Sequence, residues 1–218
     1  MRTSVEGLVV VITGASRGIS RATARLFAER GASVVLAARS EGALLEAAAE
    51  CEAMSARALV VPTDVADWEA VEGLARRSVE RFGRIDVWVN NAVLAAVGRL
   101  EDVPPVANRR VVEANLLGYM HRARAALRRF WEQDSGVLIN MSSGFGLVGA
   151  PYADAYTATK FAQRGLAQAL RGELRGSGVH AVIKPRFISV DDPHLSRVFG
   201  LRSASNSNAL RNSSGFDM

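Results

Sequence analysis

Six short apolar runs punctuate the chain, and apolar residues recur every three or four positions in most of the stretches between them. Leu8–Thr13 is one continuous run, and Gly136–Met141 is another strand candidate, apolar but for Asn140. Runs without polar alternation belong to strands covered on both faces, which is the mark of a parallel sheet. Ser33–Ala38, Ala58–Val61 (stopped by Pro62), Ile85–Asn90 and Val179–Lys184 complete the set. The first helical stretch carries Ala22, Leu26 and Phe27 and closes at Gly31. Glu41–Ser55 and Asp67–Phe82 follow, the second with Asp67 as its N-cap. Pro104–Gln133 reads as one long helix with Gly118 inside it, and Ala153–Arg175 as the last helix. This alternation predicts an α/β fold: a doubly wound parallel sheet with helices on both faces. Such sheets bind ligands outside the carboxyl ends of their strands, where Gly14, Arg39, Asp64, Asn91 and Ser143 fall.

The pattern fails after Pro185, and Leu201–Met218 is rich in Ser and Asn. One domain is therefore expected over residues 1–190, with an irregular tail over 191–218. At 218 residues and 49% apolar content the chain is long enough to bury a core. No apolar run reaches the length of a membrane span, and the amino terminus leads directly into a strand rather than a secretory leader. The single cysteine, Cys51, excludes an internal disulfide and suits a reducing compartment, so a cytoplasmic location is expected. His121, His180 and His194 are scattered, which gives no metal-ligand spacing. The net charge of +5 is spread among acids, and the Arg124, Arg128 and Arg129 cluster reads as a solvated helix face. No nucleic-acid partner is expected.

Chemistry enters at Tyr156-Thr-Ala-Thr-Lys160, where a phenol and an ammonium stand at i and i+4 of a helix and share one face. A nearby cation favours the phenolate, which makes Tyr156 a candidate general acid/base near neutral pH. The chain holds three tyrosines and two lysines, so the pairing is not one that composition makes common. A second cluster, Thr13-Gly14-Ala15-Ser16-Arg17-Gly18-Ile19-Ser20, joins the first strand to the first helix. Its glycines permit a tight turn and close approach to a pyrophosphate, and the helix amino terminus adds N–H donors. The second strand ends in Ala37-Ala38-Arg39-Ser40 with no acid to hold a ribose 2′-hydroxyl. Arg39 and Arg17 suit a 2′-phosphate instead, so NADP(H) is expected in preference to NAD(H).

These motifs, taken in order from about Val5 to Ile188, resemble the short-chain dehydrogenase/reductase family of single-domain Rossmann type. Thr13-Gly14-x-x-x-Gly18-Ile19 resembles its cofactor loop, Asp64-Val65 its adenine-holding pair and Asn90-Asn91-Ala92 the segment after its fourth strand. Asn115 falls at the family's helix asparagine, and Ser142-Ser143 with Tyr156-x-x-x-Lys160 resembles its catalytic groups. The resemblance implies an oxidoreductase that moves a hydride between NADP(H) and a small alcohol or carbonyl substrate. It implies catalytic roles for Ser143, Tyr156, Lys160 and Asn115. Ser143 grips the substrate oxygen, Tyr156 exchanges the proton, Lys160 holds the nicotinamide ribose and lowers the phenol's pKa, and Asn115 positions water in a relay to Lys160. It implies cofactor contacts from Gly14, Ser16, Arg17, Gly18, Ile19, Arg39, Asp64, Val65, Asn91, Ala92, Lys160, Pro185 and Ile188. It also implies a homodimer built on residues 103–133 and 153–175.

The chain departs from the family at Ser20 (usually glycine), at Val93 (usually glycine) and at Pro185-Arg186 (usually Pro-Gly). Val190 stands where a threonine is common, and the final strand of the sheet is expected to be missing. These departures leave a second expectation beside the enzyme: a catalytically impaired NADP(H)-binding protein that acts as a sensor or interaction partner.

Overall fold

The computed structural model describes residues 5–184. The strands are β1 (Val9–Thr13), β2 (Ser33–Ala38), β3 (Ala58–Pro62), β4 (Val87–Asn90), β5 (Gly136–Met141) and β6 (Val179–Lys184). They form one sheet in the order β3-β2-β1-β4-β5-β6, and every pairing is parallel. The order reverses between β1 and β4, which opens a crevice at their carboxyl ends. Val10 and Ile12 pack with Val34, Leu36, Val87 and Val89 on one face, under α1 (Gly18–Ala28) and α2 (Glu41–Glu52). Val9, Val11, Val35 and Trp88 pack on the other, against α3 (Trp68–Phe82), α5 (Gly118–Gln133) and α6 (Asp154–Glu173). Successive strand residues point to opposite faces, so a run with no polar interruption is what two covered faces require.

Local chemistry sets the element ends. Asp67 caps α3, its carboxylate accepting from the Glu69 and Ala70 N–H groups. Gly31 closes the turn after α1 at φ +80°, and Gly83 caps α3 at φ +81°. Helix α2 stops at Glu52 rather than at the expected Ser55, which takes a φ of 63° that a helix does not allow. Arg124 and Arg128 are exposed, as a solvated face requires, while also lying over the Trp68 ring, and Arg129 pairs with Glu72 and Glu132.

The expected long helix over Pro104–Gln133 is interrupted. It comprises α4 (Pro105–Val112), a π-helical turn over Glu113–Leu117, and α5. The Gly118 N–H reaches back five residues to the Glu113 carbonyl. A π turn in a helix inserts a residue and needs compensation. Here Asn115 provides it, donating to the Leu94 carbonyl (2.8 Å) and the Thr159 hydroxyl (3.2 Å) and accepting from the Leu94 N–H (2.8 Å). Among the described residues no helix is long and apolar enough to cross a membrane. Pro185, Arg186, Ile188, Val190, the tail over 191–218 and the question of a further strand lie outside the described residues.

Candidate active site

At the carboxyl ends of β1, β2, β3 and β4 the chain encloses a cleft of about 550 Å³. Gly14, Ser16, Arg17, Arg39, Asp64, Val65, Asn91 and Ala92 line it, so eight of the residues expected to touch a cofactor come together. Gly14 has φ +76°, and a Cβ there would lie 3.0 Å from the Ala92 Cα. The turn after β1 and the Asn91–Ala92 segment therefore approach more closely than most side chains tolerate, and the positive φ adds strain for any residue but glycine. The Gly14 N–H donates to the Ala37 carbonyl (2.7 Å), which folds the turn over β2.

Ser20, in place of a third glycine, is fully buried and keeps the packing. Its hydroxyl donates to the Thr13 carbonyl (3.0 Å) and accepts from the Asn91 amide (2.5 Å). Helix α1 starts at Gly18 with no side chain capping it, so its first N–H groups are open to an anion. Ile19 is exposed on the first turn, and Val93 joins the cleft wall while half-exposed. Arg17 and Arg39 are exposed at the cleft, and neither guanidinium makes an ion pair with a described residue. A glycine-lined turn, an open helix amino terminus and exposed guanidinium groups suit a dinucleotide with its phosphates. Arg110 was not foreseen at this wall. It lies on α4 and pairs with Asp64, which holds the carboxylate in place.

The catalytic candidates meet beyond the cleft, where β5 ends. Ser143 begins a short 3-10 turn, its hydroxyl accepting from the Phe145 N–H (3.2 Å). This turn packs on α6: the Phe145 ring stands edge-on to Tyr156 at 6.2 Å, and a Cβ on Gly146 would lie 3.1 Å from the Lys160 carbonyl oxygen. Tyr156 is partly exposed, and the Lys160 ammonium lies 5.6 Å from its ring centre. Ser142, by contrast, sits over the Gly146 backbone, and its N–H donates to the Lys184 carbonyl (2.8 Å). Lys160 is 4% exposed and donates to the Met141 carbonyl (2.9 Å) and the Gln163 amide oxygen (3.1 Å). Burial, with a smaller push from Arg122, lowers its pKa to about 8.

Two residues here escaped sequence reasoning. Gln163 links Lys160 to Asn115: its amide oxygen accepts from the Lys160 ammonium and its amide nitrogen donates to the Asn115 carbonyl (2.5 Å). Arg122 is 1% exposed, and its Nε donates to the Gly118 carbonyl (2.8 Å). One terminal nitrogen donates to the Thr13 hydroxyl (3.3 Å) and the Ala92 carbonyl (3.2 Å). Burial pushes its pKa down to about 9, which leaves it a cation at neutral pH.

Comparison with known proteins identifies the family and agrees with the fold. Residues 8–191 match the family model described as short chain dehydrogenase. An uncharacterized oxidoreductase, YxnA, of Bacillus subtilis (strain 168) is 40% identical over 167 residues, which are 76% of this chain and 47% of that protein. Cis-4-hydroxycyclohexanecarboxylate dehydrogenase of Sinomonas cyclohexanicum is also 40% identical, over 78% of this chain and 69% of that protein. The chain thus spans about half the length of YxnA. A crystal structure of a short chain dehydrogenase/reductase from Burkholderia phymatum in complex with NAD superposes with a TM-score of 0.80 at 32% identity, covering 84% of this chain and 66% of that one. The family match covers most of the chain, the sheet order is that of a Rossmann-like α/β fold, and the chain belongs to the short chain dehydrogenase family.

Proposed function

We propose that the chain is an oxidoreductase that transfers a hydride between NADP(H) and an alcohol or carbonyl substrate, with Tyr156 as general acid/base. The observation that carries this reading is that the turn begun by Ser143 packs on α6, with Phe145 edge-on to Tyr156 and the Lys160 ammonium 5.6 Å from the Tyr156 ring centre, beside a cleft suited to a dinucleotide. Gly14, Gly18 and the open end of α1 hold the phosphates. The bound dinucleotide supplies or accepts the hydride. Ser143 donates a hydrogen bond to the substrate oxygen and stabilises the charge that develops there. Tyr156 gives its phenolic proton to that oxygen in reduction and takes one in oxidation. Lys160, a cation in a dry site, stabilises the phenolate.

The preference for NADP(H) rests on Arg17 and Arg39 at the cleft and on the lack of an acid after β2. Relatives whose crystal structures hold NAD set the alternative. Turnover with NADPH and a panel of ketones and aldehydes, read from the absorbance of the reduced nicotinamide, tests the activity. Arg39→Asp tests the preference: it should lower the NADPH/NADH ratio of kcat/KM by about tenfold or more, and an unchanged ratio refutes that assignment.

A chain that binds the dinucleotide without turning it over is the second reading. It is favoured by Lys160, which directs two of its three donors to Met141 and Gln163 rather than toward Tyr156. The cytosol remains the proposed location, on the strength of the single cysteine, Cys51, buried in α2. A homodimer is proposed through an apolar groove of about 370 Å³ on α5 and α6, where Met120, Leu127 and Trp131 meet Leu166 and Leu170.

A further inference from the structure

A guanidinium sealed among neutral groups is costly, because removing an ion from water is repaid only by an opposite charge or very good hydrogen bonds. Arg122 has three acceptors, the Gly118 and Ala92 carbonyls and the Thr13 hydroxyl, and none carries a charge. Lys160, the other buried cation at this end of the sheet, is likewise held by a carbonyl and an amide. Among the described residues the one carboxylate buried to this degree is Asp86, and it is engaged by Arg84 and the Val9 N–H at the opposite ends of the strands. Asp64, the acid of the cleft wall, is already paired with Arg110. Tyr119, one turn back on α5, is buried, and its hydroxyl has no partner among the described residues. Among the described residues, the carboxyl end of the sheet therefore holds buried positive charge that no side chain neutralises.

The position of that charge indicates what neutralises it. Arg122 grips the Ala92 carbonyl, and Ala92 lines the cleft and lies against Gly14 at the head of the phosphate turn. The guanidinium is one layer of backbone behind the cleft wall. Holding Thr13 and Ala92 in place needs donors and not a charge, so a purely structural role leaves the cation unexplained.

We propose that Arg122 is a buried affinity-determining cation whose counter-charge is the diphosphate of the bound dinucleotide, attracted through the Asn91–Ala92 backbone without direct contact. The inference rests on the dinucleotide reading of the cleft and extends it. Arg122 is a positioning residue of that site, acting on the ligand's charge and not on the reacting atoms. A charge in this setting is poorly screened by salt, unlike Arg17 and Arg39 at the surface.

The test is the affinity of the full chain for NADPH and NADH, by calorimetry, for the wild type and for Arg122→Met, Arg122→Gln and Arg122→Lys, at low salt and at 0.5 M salt. Arg122→Met and Arg122→Gln should weaken both dinucleotides on the order of tenfold, equally at both salt concentrations. Arg122→Met leaves the Gly118 and Ala92 carbonyls without this donor and should lower the ligand-free melting temperature; Arg122→Gln keeps an amide donor, should melt near the wild type, and is the deciding variant. Arg122→Lys should stay within about threefold of the wild type. If Arg122→Met does not fold, the Gln and Lys variants decide the matter alone. Wild-type affinity in Arg122→Gln, or a loss in that variant that tracks a fall in its melting temperature, overturns the proposal and leaves the cleft's reading intact. A wild type that binds neither dinucleotide overturns both.

Discussion

Lys160 gives the cofactor site a pH dependence whose size follows from its surroundings. In the ligand-free chain its ammonium is buried, has two neutral acceptors, and stands near a second cation, Arg122, so its pKa falls from the ordinary 10.5 to about 8. A dinucleotide brings phosphates and ribose hydroxyls, which favour the charged form and return the pKa toward that of an ordinary lysine. Protonation and binding are then linked. The fraction of ligand-free chains with a charged Lys160 drops about tenfold from pH 7 to pH 9, and NADPH affinity should drop about tenfold with it. Binding at pH 9 should take up close to one proton, measured by calorimetry in buffers of different ionisation enthalpy. Lys160→Met should bind more weakly at pH 7 and lose both the pH dependence and the uptake. The ligand-free protein should show the opposite trend. Its folded state binds fewer protons than the unfolded chain between about pH 8 and 10.5, so this residue's contribution to stability rises with pH through that window. An NADPH affinity that is flat from pH 7 to 9.5 would refute the reasoning.

Two further outcomes follow from packing. Gly118→Ala places a methyl 2.6 Å from the Val65 carbonyl oxygen, where backbone cannot give way. Overpacking outweighs the gain in helix propensity, for a net loss of about 2 kcal/mol in urea unfolding, and weaker NADPH binding because Val65 lines the cleft. Trp131→Glu puts a charge on the half-exposed apolar groove of α5 and α6. It should convert a dimer to a monomer in light scattering without unfolding the chain, and an unchanged mass would remove that face from the interface.

Much of this architecture was legible because the physics is local. Continuous Val/Ile/Leu runs can satisfy their backbone and bury both faces in a parallel sheet, and the six expected strands are those observed, within two residues at each end. The glycine turn and the Tyr156–Lys160 pair were legible for the same reason, since each is a spacing in the chain. The break in the long helix was not. It depends on Asn115 finding Leu94 and Thr159, which are 21 and 44 residues distant in sequence. Arg122 and Gln163 left a weaker signal. Arg122 occurs among Tyr119, Ala123, Ala126 and Phe130, the buried stripe of α5, and Gln163 among Thr159, Ala167 and Leu170 on α6. A polar residue on an apolar stripe marks a buried partner without naming it. Composition read the arginine cluster of α5 as solvated, and Arg124 and Arg128 are exposed; what it could not show is that both stack on Trp68 of another helix.

The most direct measurement is NADPH-dependent reduction of a carbonyl panel by the wild type and by Tyr156→Phe, with NADPH affinity determined for both. General acid catalysis by the phenol predicts that the substitution lowers kcat by roughly a hundredfold or more while leaving NADPH affinity within about twofold. Turnover that survives the loss of the hydroxyl would contradict the assignment of the proton to Tyr156.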